Sequence, residues 1–217
     1  MDKKVLLIQP HSDDIILSAS KYLYDQEYEK KVILTVENNP KRLLEDQEIC
    51  NHFGAHLIRL MTPSDSTGFH KEYYADNKQM DDMSAMKFCE NKMGSDNLAK
   101  VSEELETVVT NYKNDGYEIV TCMGVGHPFH WLVRVITHNL ADVFYRDFPH
   151  SYKRRNQAYL VGVVDTLFQL KELNDENHEG KIELFKKYYK TQSSFLFFEQ
   201  RYIDKALPEE YYEKIKD

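Results

Sequence analysis

The sequence predicts an α/β fold: a Rossmann-like, open and mostly parallel sheet flanked by helices, with a helical and aromatic extension at the C-terminal end. Three observations carry that prediction. Short, almost wholly apolar runs alternate with helical periods through the first third of the chain, and such runs suit strands buried on both faces. Histidine-bearing polar loops follow two of the apolar runs directly. The 217 residues, with 41% apolar content, suffice for one sizeable core, and no repeat, low-complexity tract or linker divides them. Residues 1–217 are therefore read as one domain.

The elements follow in order. Lys4–Gln9 is a buried strand ended by Pro10. Asp14 to about Tyr28 places Ile15, Ile16, Ala19 and Leu23 on one helical face. Lys31–Val36 is a second strand. Pro40 opens a helix, where its missing N–H costs nothing, and Gly54 closes it. His56–Leu60 is a third strand, so right-handed crossovers give a parallel sheet. Residues 62–95 have no clean period and are expected to form a long loop or small insertion of functional interest. A helix over Asn97–Tyr112, a strand over Tyr117–Cys122 and a helix from near His130 come next. Tyr159–Val164 is expected to be a fifth strand and Lys181–Tyr189 a helix. An aromatic, charged tail follows from Phe195.

Composition narrows the function classes. The net charge of −8 argues against a nucleic-acid surface, which needs a basic footprint. No apolar run spans a bilayer and no leader precedes the first strand, so the expectation is a soluble, cytoplasmic protein without a membrane span. Three cysteines without a Cys-x-x-Cys pair predict neither a disulfide framework nor a zinc ribbon. Whether copies of the chain associate stays open.

Chemistry concentrates in two loops, His11-Ser12-Asp13-Asp14 after the first strand and His127-Pro128-Phe129-His130 after the fourth. In open α/β sheets, ligands bind at the carboxyl ends of strands, where strand order reverses. Adjacent carboxylates repel unless a cation lies between or beside them. A divalent metal held by His11, Asp14 and His130 meets that need, with an open position for water as in catalytic zinc sites. Iron(II) suits the same ligands. Asp13 then serves as general base beside the metal-bound water, and His127 polarises a carbonyl or protonates a leaving amine. Plainer readings stay open: Asp13-Asp14 as a helix cap plus a first-turn charge, and the His-x-x-His pair as surface histidines. His52, His56, His70, His138, His150 and His178 have no partner at metal spacing and are expected to lie at the surface or half-buried. The basic run Ser151–Gln157 is either a solvated loop or a phosphate-receiving segment.

These residues resemble the LmbE-like, or PIG-L, family of zinc-dependent N-acetylglucosaminyl deacetylases, marked by His-Pro-Asp-Asp-Glu after the first strand and a later His-Pro-Asp-His. Arg42–Gly54 ("RLLEDQEICNHFG") is similar to the family's Arg-x-x-Glu helix, and Lys181–Gln192 ("KIELFKKYYKTQ") to its late Lys-rich helix. The resemblance implies zinc on His11, Asp14 and His130, with Asp13 as base and His127 at the oxyanion or leaving amine. It further implies Arg42 as a contact to a small amino-sugar-type substrate, and Gln192 near the pocket. The activity implied is removal of an acyl group, most simply acetyl. Three positions depart from the pattern: Ser12 for proline, Ile15 for glutamate and Phe129 for aspartate. With two acidic residues gone, two other readings stay open: a sugar- or nucleotide-binding protein that has lost catalysis, and a metal hydrolase acting on another amide or N-glycosidic bond.

Overall fold

The computed structural model describes residues 3–62, 64, 66, 68–174, 178–190 and 207–215. The apolar run near the N-terminus forms β1 (Lys3–Gln9), with Val5–Ile8 fully buried. It is the third strand of a seven-stranded sheet of order β3-β2-β1-β4-β5-β7-β6. The strands β2 (Tyr28–Thr35), β3 (His56–Arg59), β4 (Glu118–Cys122) and β5 (Val143–Tyr145) run parallel to β1. At the far edge, β7 (Glu209–Lys214) is antiparallel to both β5 and β6 (Phe168–Asn174). Chain order reverses at β1, which pairs with β2 on one side and β4 on the other. The carboxyl ends of β1 and β4 therefore open on one crevice, as the two histidine loops require.

The predicted Asp14–Tyr28 helix is shorter and broken, into α1 (Asp14–Ser18) and α2 (Ser20–Tyr24). Its apolar spacing is helical, but Ala19 leaves the helical region at φ −144°. The break is stabilised from outside. Glu209 accepts hydrogen bonds from the Ser20 N–H (3.1 Å), the Ser20 hydroxyl (2.6 Å) and the Lys21 N–H (3.1 Å). A carboxylate thus satisfies the orphan donors that open α2. Pro40–Arg42 is a 3₁₀ turn that leads into α3 (Leu43–Phe53), closed by Gly54 in the left-handed conformation (φ 64°) as expected.

Residues 62–95, expected to form a long loop or small insertion, hold two helices, α4 (Phe69–Asp76) and α5 (Asp82–Met93), so the loop alternative falls. Their polar residues hid the period, because each buries only a few side chains, such as Phe69, Tyr73, Ala85 and Cys89. Tyr159–Val164 is not a strand but lies within α8 (Gln157–Leu167). Leu160 and Val163 are buried while Val161 is 55% exposed, so the run obeys helical rather than strand spacing. The fifth strand is Val143–Tyr145, too short to register by pattern.

The long helix α6 (Ser95–Asn114) and α7 (Pro128–Thr137) cover the sheet with α5, and α9 (His178–Tyr188) packs on α1 and α3. Among the described residues, no helix is long and apolar enough to cross a membrane. Residues 195–206 of the aromatic tail, and Gln192, lie outside the described residues.

Candidate active site

His11, Asp13 and Asp14 stand between the end of β1 and the first turn of α1. The Asp14 carboxylate accepts the His11 N–H at 2.7 Å, which folds the loop into a tight turn. From β4 the chain passes Gly124 and Gly126 to His127, the N-cap of α7, with Pro128 at the first helical position. Gly126 is required by close approach. Its φ is +88°, and a Cβ there would lie 2.3 Å from Asn156 Nδ2.

The two loops meet. His11 Nδ1 and His130 Nε2 are 2.8 Å apart, and Asp14 Oδ2 lies 3.5 Å from the first and 3.4 Å from the second. Hydrogen-bond partners fix which nitrogens carry protons. Asp147 Oδ1 accepts from His130 Nδ1 at 2.7 Å, and Asp147 Oδ2 accepts the Val125 N–H at 3.0 Å. On the other ring, His11 Nε2 faces Ser66 Oγ at 2.8 Å, and Ser66 Oγ donates to Glu37 Oε1 at 3.1 Å. With its hydroxyl proton committed to Glu37, Ser66 accepts from His11 Nε2–H. His11 Nδ1, His130 Nε2 and Asp14 Oδ2 therefore face one another. A proton joins them in the metal-free site, where Asp14 and Asp147 raise the His130 pKa against burial, and the same three atoms with their backing are the donor set that a divalent metal takes.

His127 lies against this group, its ring centre 4.7 Å from that of His11 and 4.9 Å from that of His130. The His11, His127 and His130 nitrogens are close enough to share one ion. His127 Nδ1, however, accepts the Phe129 N–H at 3.2 Å, which leaves Nε2 as an N–H donor. Burial, followed by the neighbouring His11 and His130, holds its pKa well below the ordinary value. His127 is thus a neutral hydrogen-bond donor.

The two carboxylates diverge in character. Burial and then the Asp14 charge raise Asp13 to about 6, against the opposing pull of Arg42 and His11. Burial acts to raise Asp14 as well, but His130 and the His11 contacts outweigh it and hold that group below the ordinary range. A pair of acids pushed apart in this way divides into one that stays ionised and one that exchanges protons near neutrality. Arg42 lies beside Asp13 and donates to the buried Glu37 at 3.1 Å, with about a quarter of its side chain exposed.

No protein-family model matches the sequence, and no curated protein matches it. Two solved structures do resemble the chain. One is described as a deacetylase–bog complex in the biosynthesis pathway of teicoplanin, at 15% identity and TM-score 0.58 over 99% of each chain. The other is the zinc-inhibited form of a teicoplanin deacetylase, at 15% identity and TM-score 0.61 over 99% of each chain. The shared property is the fold.

Several members of the pocket escaped sequence reasoning. His70 and His150, expected to be surface or half-buried residues without a partner, join the cluster. His70 stacks on His127 at 5.8 Å and 16°, and the His150 ring lies 5.1 Å from that of His127. Among the described residues, nothing hydrogen-bonds the buried His150 Nδ1. Asp147 and His150 follow β5, and Glu37 follows β2, so applying the strand-end rule to every strand finds them. Ser66 and His70 carry no such signal. The departures also resolve into contacts. The Ser12 hydroxyl donates to Asp46 Oδ2 at 3.0 Å and accepts from Arg59 at 3.1 Å, tying the loop to α3 and β3 as a proline could not. Ile15 is core. Phe129 and Trp131 are buried: Phe129 packs 5.6 Å from the His11 ring, and Trp131 donates to Asp82 at 2.6 Å.

Proposed function

We propose that this chain is a metal-dependent amidohydrolase of the LmbE-like, PIG-L type, with residues 1–217 forming one such domain. It removes an acyl group, most simply acetyl, from an N-acylated amino sugar or related conjugate. One observation carries the reading: two histidine ring nitrogens and a carboxylate oxygen, brought from the ends of β1 and β4, converge within 3.5 Å beside a second carboxylate with a raised pKa. The likeness of fold to two deacetylases supports it.

In this reading His11, Asp14 and His130 hold zinc, or iron(II). A divalent ion there supplies an acidified water and polarises the substrate carbonyl. The remaining work belongs to the side chains. Asp13 takes the proton from the attacking water, its raised pKa matching the task near neutral pH. His127 Nε2–H donates to the oxyanion of the tetrahedral intermediate, from a site where water is largely excluded. Because its pKa is driven so low, His127 acts as a donor to the oxyanion, and Asp13 returns its proton to the leaving amine. Arg42 holds Glu37 and balances Asp13, with its exposed part available to the sugar. A working site is favoured over a lapsed one because the missing motif acids are not needed for this arrangement: Asp147 backs His130 in their place.

Elemental analysis of the purified protein, with release of acetate from acetylated amino sugars, tests the reading. One zinc or iron per chain, lost in His130→Ala together with acetate release, is the expected result. A protein that refuses added zinc and iron sinks it. Turnover of nucleosides in place of acylated amino sugars would move the chemistry to the N-glycosidic bond.

A further inference from the structure

We propose that Arg59 is a positioning residue: its guanidinium clamps the loop that carries Asp13 to the turn that carries Arg42, and so sets the base and the substrate contact at their working separation. The proposal rests on the amidohydrolase reading for the reaction it serves.

The clamp grows out of one polar row in an apolar sheet. Gln9, Thr35 and Arg59 are the last residues of β1, β2 and β3, and the parallel register sets Gln9 beside Thr35 and Thr35 beside Arg59. The row needs a partner, and α3 supplies it in Asp46, whose side chain is fully buried. Asp46 Oδ2 accepts from Arg59 Nη2 at 2.7 Å, from the Thr35 hydroxyl at 3.0 Å and from the Ser12 hydroxyl at 3.0 Å, while Gln9 Nε2 donates to Oδ1 at 3.4 Å. Gln9 Oε1 in turn accepts the Ile15 N–H at 3.3 Å. The family motif that these residues resemble carries an acid at position 15 and a proline at position 12. Here a carboxylate reaches the loop from α3 instead, and Ser12 has a hydroxyl to bond it.

Arg59 holds two segments at once. Through Nη2 it donates to Ser12 Oγ at 3.1 Å as well as to Asp46, and Ser12 stands between His11 and Asp13. Through Nη1 it donates to the Asn39 carbonyl at 2.9 Å. That carbonyl also accepts the Arg42 N–H at 3.1 Å, which closes the 3₁₀ turn before α3, and the Asn39 side chain caps the same turn by accepting the Lys41 N–H at 3.0 Å. Asp13 and Arg42, presented by these two segments, are near enough for each charge to act on the other. The Arg59 side chain is 10% exposed, so water has little access to its bonds. A planar fork of five donors can tie both segments together, whereas an ammonium presents its donors from a single nitrogen.

Two measurements on the full chain test the clamp: kinetics of acetate release from N-acetylglucosamine by zinc-loaded protein, and amide hydrogen exchange of metal-free protein. Arg59→Lys is the informative variant, because it keeps a counter-charge beside Asp46 while removing the fork. Arg59→Gln would strand that carboxylate and endanger folding. Arg59→Lys is expected to lower kcat about tenfold or more and to raise KM, since both segments lose their tie. Ser12→Ala frees the Asp13 side alone and should lower kcat with KM unchanged. Exchange should quicken over residues 11–15 and 38–42 together in Arg59→Lys, and over 11–15 alone in Ser12→Ala, with the core strands unaffected in both. An Arg59→Lys protein whose sole change is a lower Tm, with natural kcat and KM, overturns the positioning role. Exchange that quickens evenly along the chain, or in one of the two segments only, overturns the clamp. If the natural protein releases no acetate while exchange behaves as expected, the amidohydrolase reading falls and the clamp stands. If it releases acetate and neither variant alters kinetics or exchange, the clamp falls and the reading stands.

Discussion

At the scale of single residues, adjacent Asp13 and Asp14 receive opposite treatment. Asp14 lies against two imidazoles and is held ionised, whereas Asp13 is buried beside a like charge and raised to about 6. Asp13→Asn is therefore expected to keep its metal and to lose about a thousandfold in turnover, the loss of a positioned general base. Metal content and kcat measured on one preparation check this. Normal turnover in that variant would remove Asp13 from the mechanism. The base works only when ionised, so kcat/KM should fall on the acid side. The limb lies at or below pH 6, because a cation on the neighbouring ligands lowers Asp13 from its metal-free value of about 6. Asp147 makes a different prediction. Among the described residues its carboxylate accepts from His130 Nδ1 and the Val125 N–H, so Asp147→Asn should weaken zinc by about 10- to 100-fold while leaving the Asp13 limb in place. Competition with a chelator reads the affinity and the pH profile reads the limb.

At the scale of elements, Glu209 is the piece on which the C-terminal strand and the broken first helix depend. Its carboxylate caps α2, accepts from Lys181 of α9 at 3.1 Å and bonds Tyr211 of its own strand. Burial alone would raise its pKa, but Lys181 and these donors outweigh burial and hold it below the ordinary 4.5. A depressed carboxyl contributes stability that is present above its unfolded pKa and lost as pH falls through the folded one. Glu209→Gln should cost about 3 kcal/mol at neutral pH, since it leaves Lys181 buried without its counter-charge. The deficit should narrow as the pH drops below about 4.5. Urea unfolding of both proteins across that range checks it, and a deficit independent of pH would mean the charge is not what matters. None of this was legible in sequence, because a glutamate that caps a helix 189 residues away leaves no local pattern. β1 and the second half of β2 were legible, because strands buried on both faces need continuous apolar runs, whereas β3 is a half-buried edge strand read from its short Leu57-Ile58 run. α8 reads as a strand because its β-branched run has strand-like composition over helical spacing.

At the scale of the whole molecule, the order reversal at β1 turns two distant motifs into neighbours. Their adjacency could be anticipated because strand-end placement is a property of the fold rather than of either motif. What could not be anticipated is the company they keep. His70 arrives on α4, within a stretch whose period was hidden, and Asp147 and His150 arrive behind a three-residue strand. The same reversal makes a prediction about stability. His11 follows β1, Asp14 opens α1, and His130 belongs to α7 behind β4, so an ion on all three cross-links the neighbouring strands β1 and β4. A ligand that binds only the folded chain stabilises it by mass action, by about 2.7 kcal/mol at a hundredfold excess over Kd. For a domain of this size that raises Tm by roughly 5 to 10 °C. Thermal melts with and without zinc should show that rise in the natural protein. It should persist in Asp13→Asn, which leaves the three ligand atoms in place, and vanish in His130→Ala, which severs the link between the two halves of the sheet. An equal rise in His130→Ala would place the ion elsewhere on the chain and detach the β4 motif from the metal.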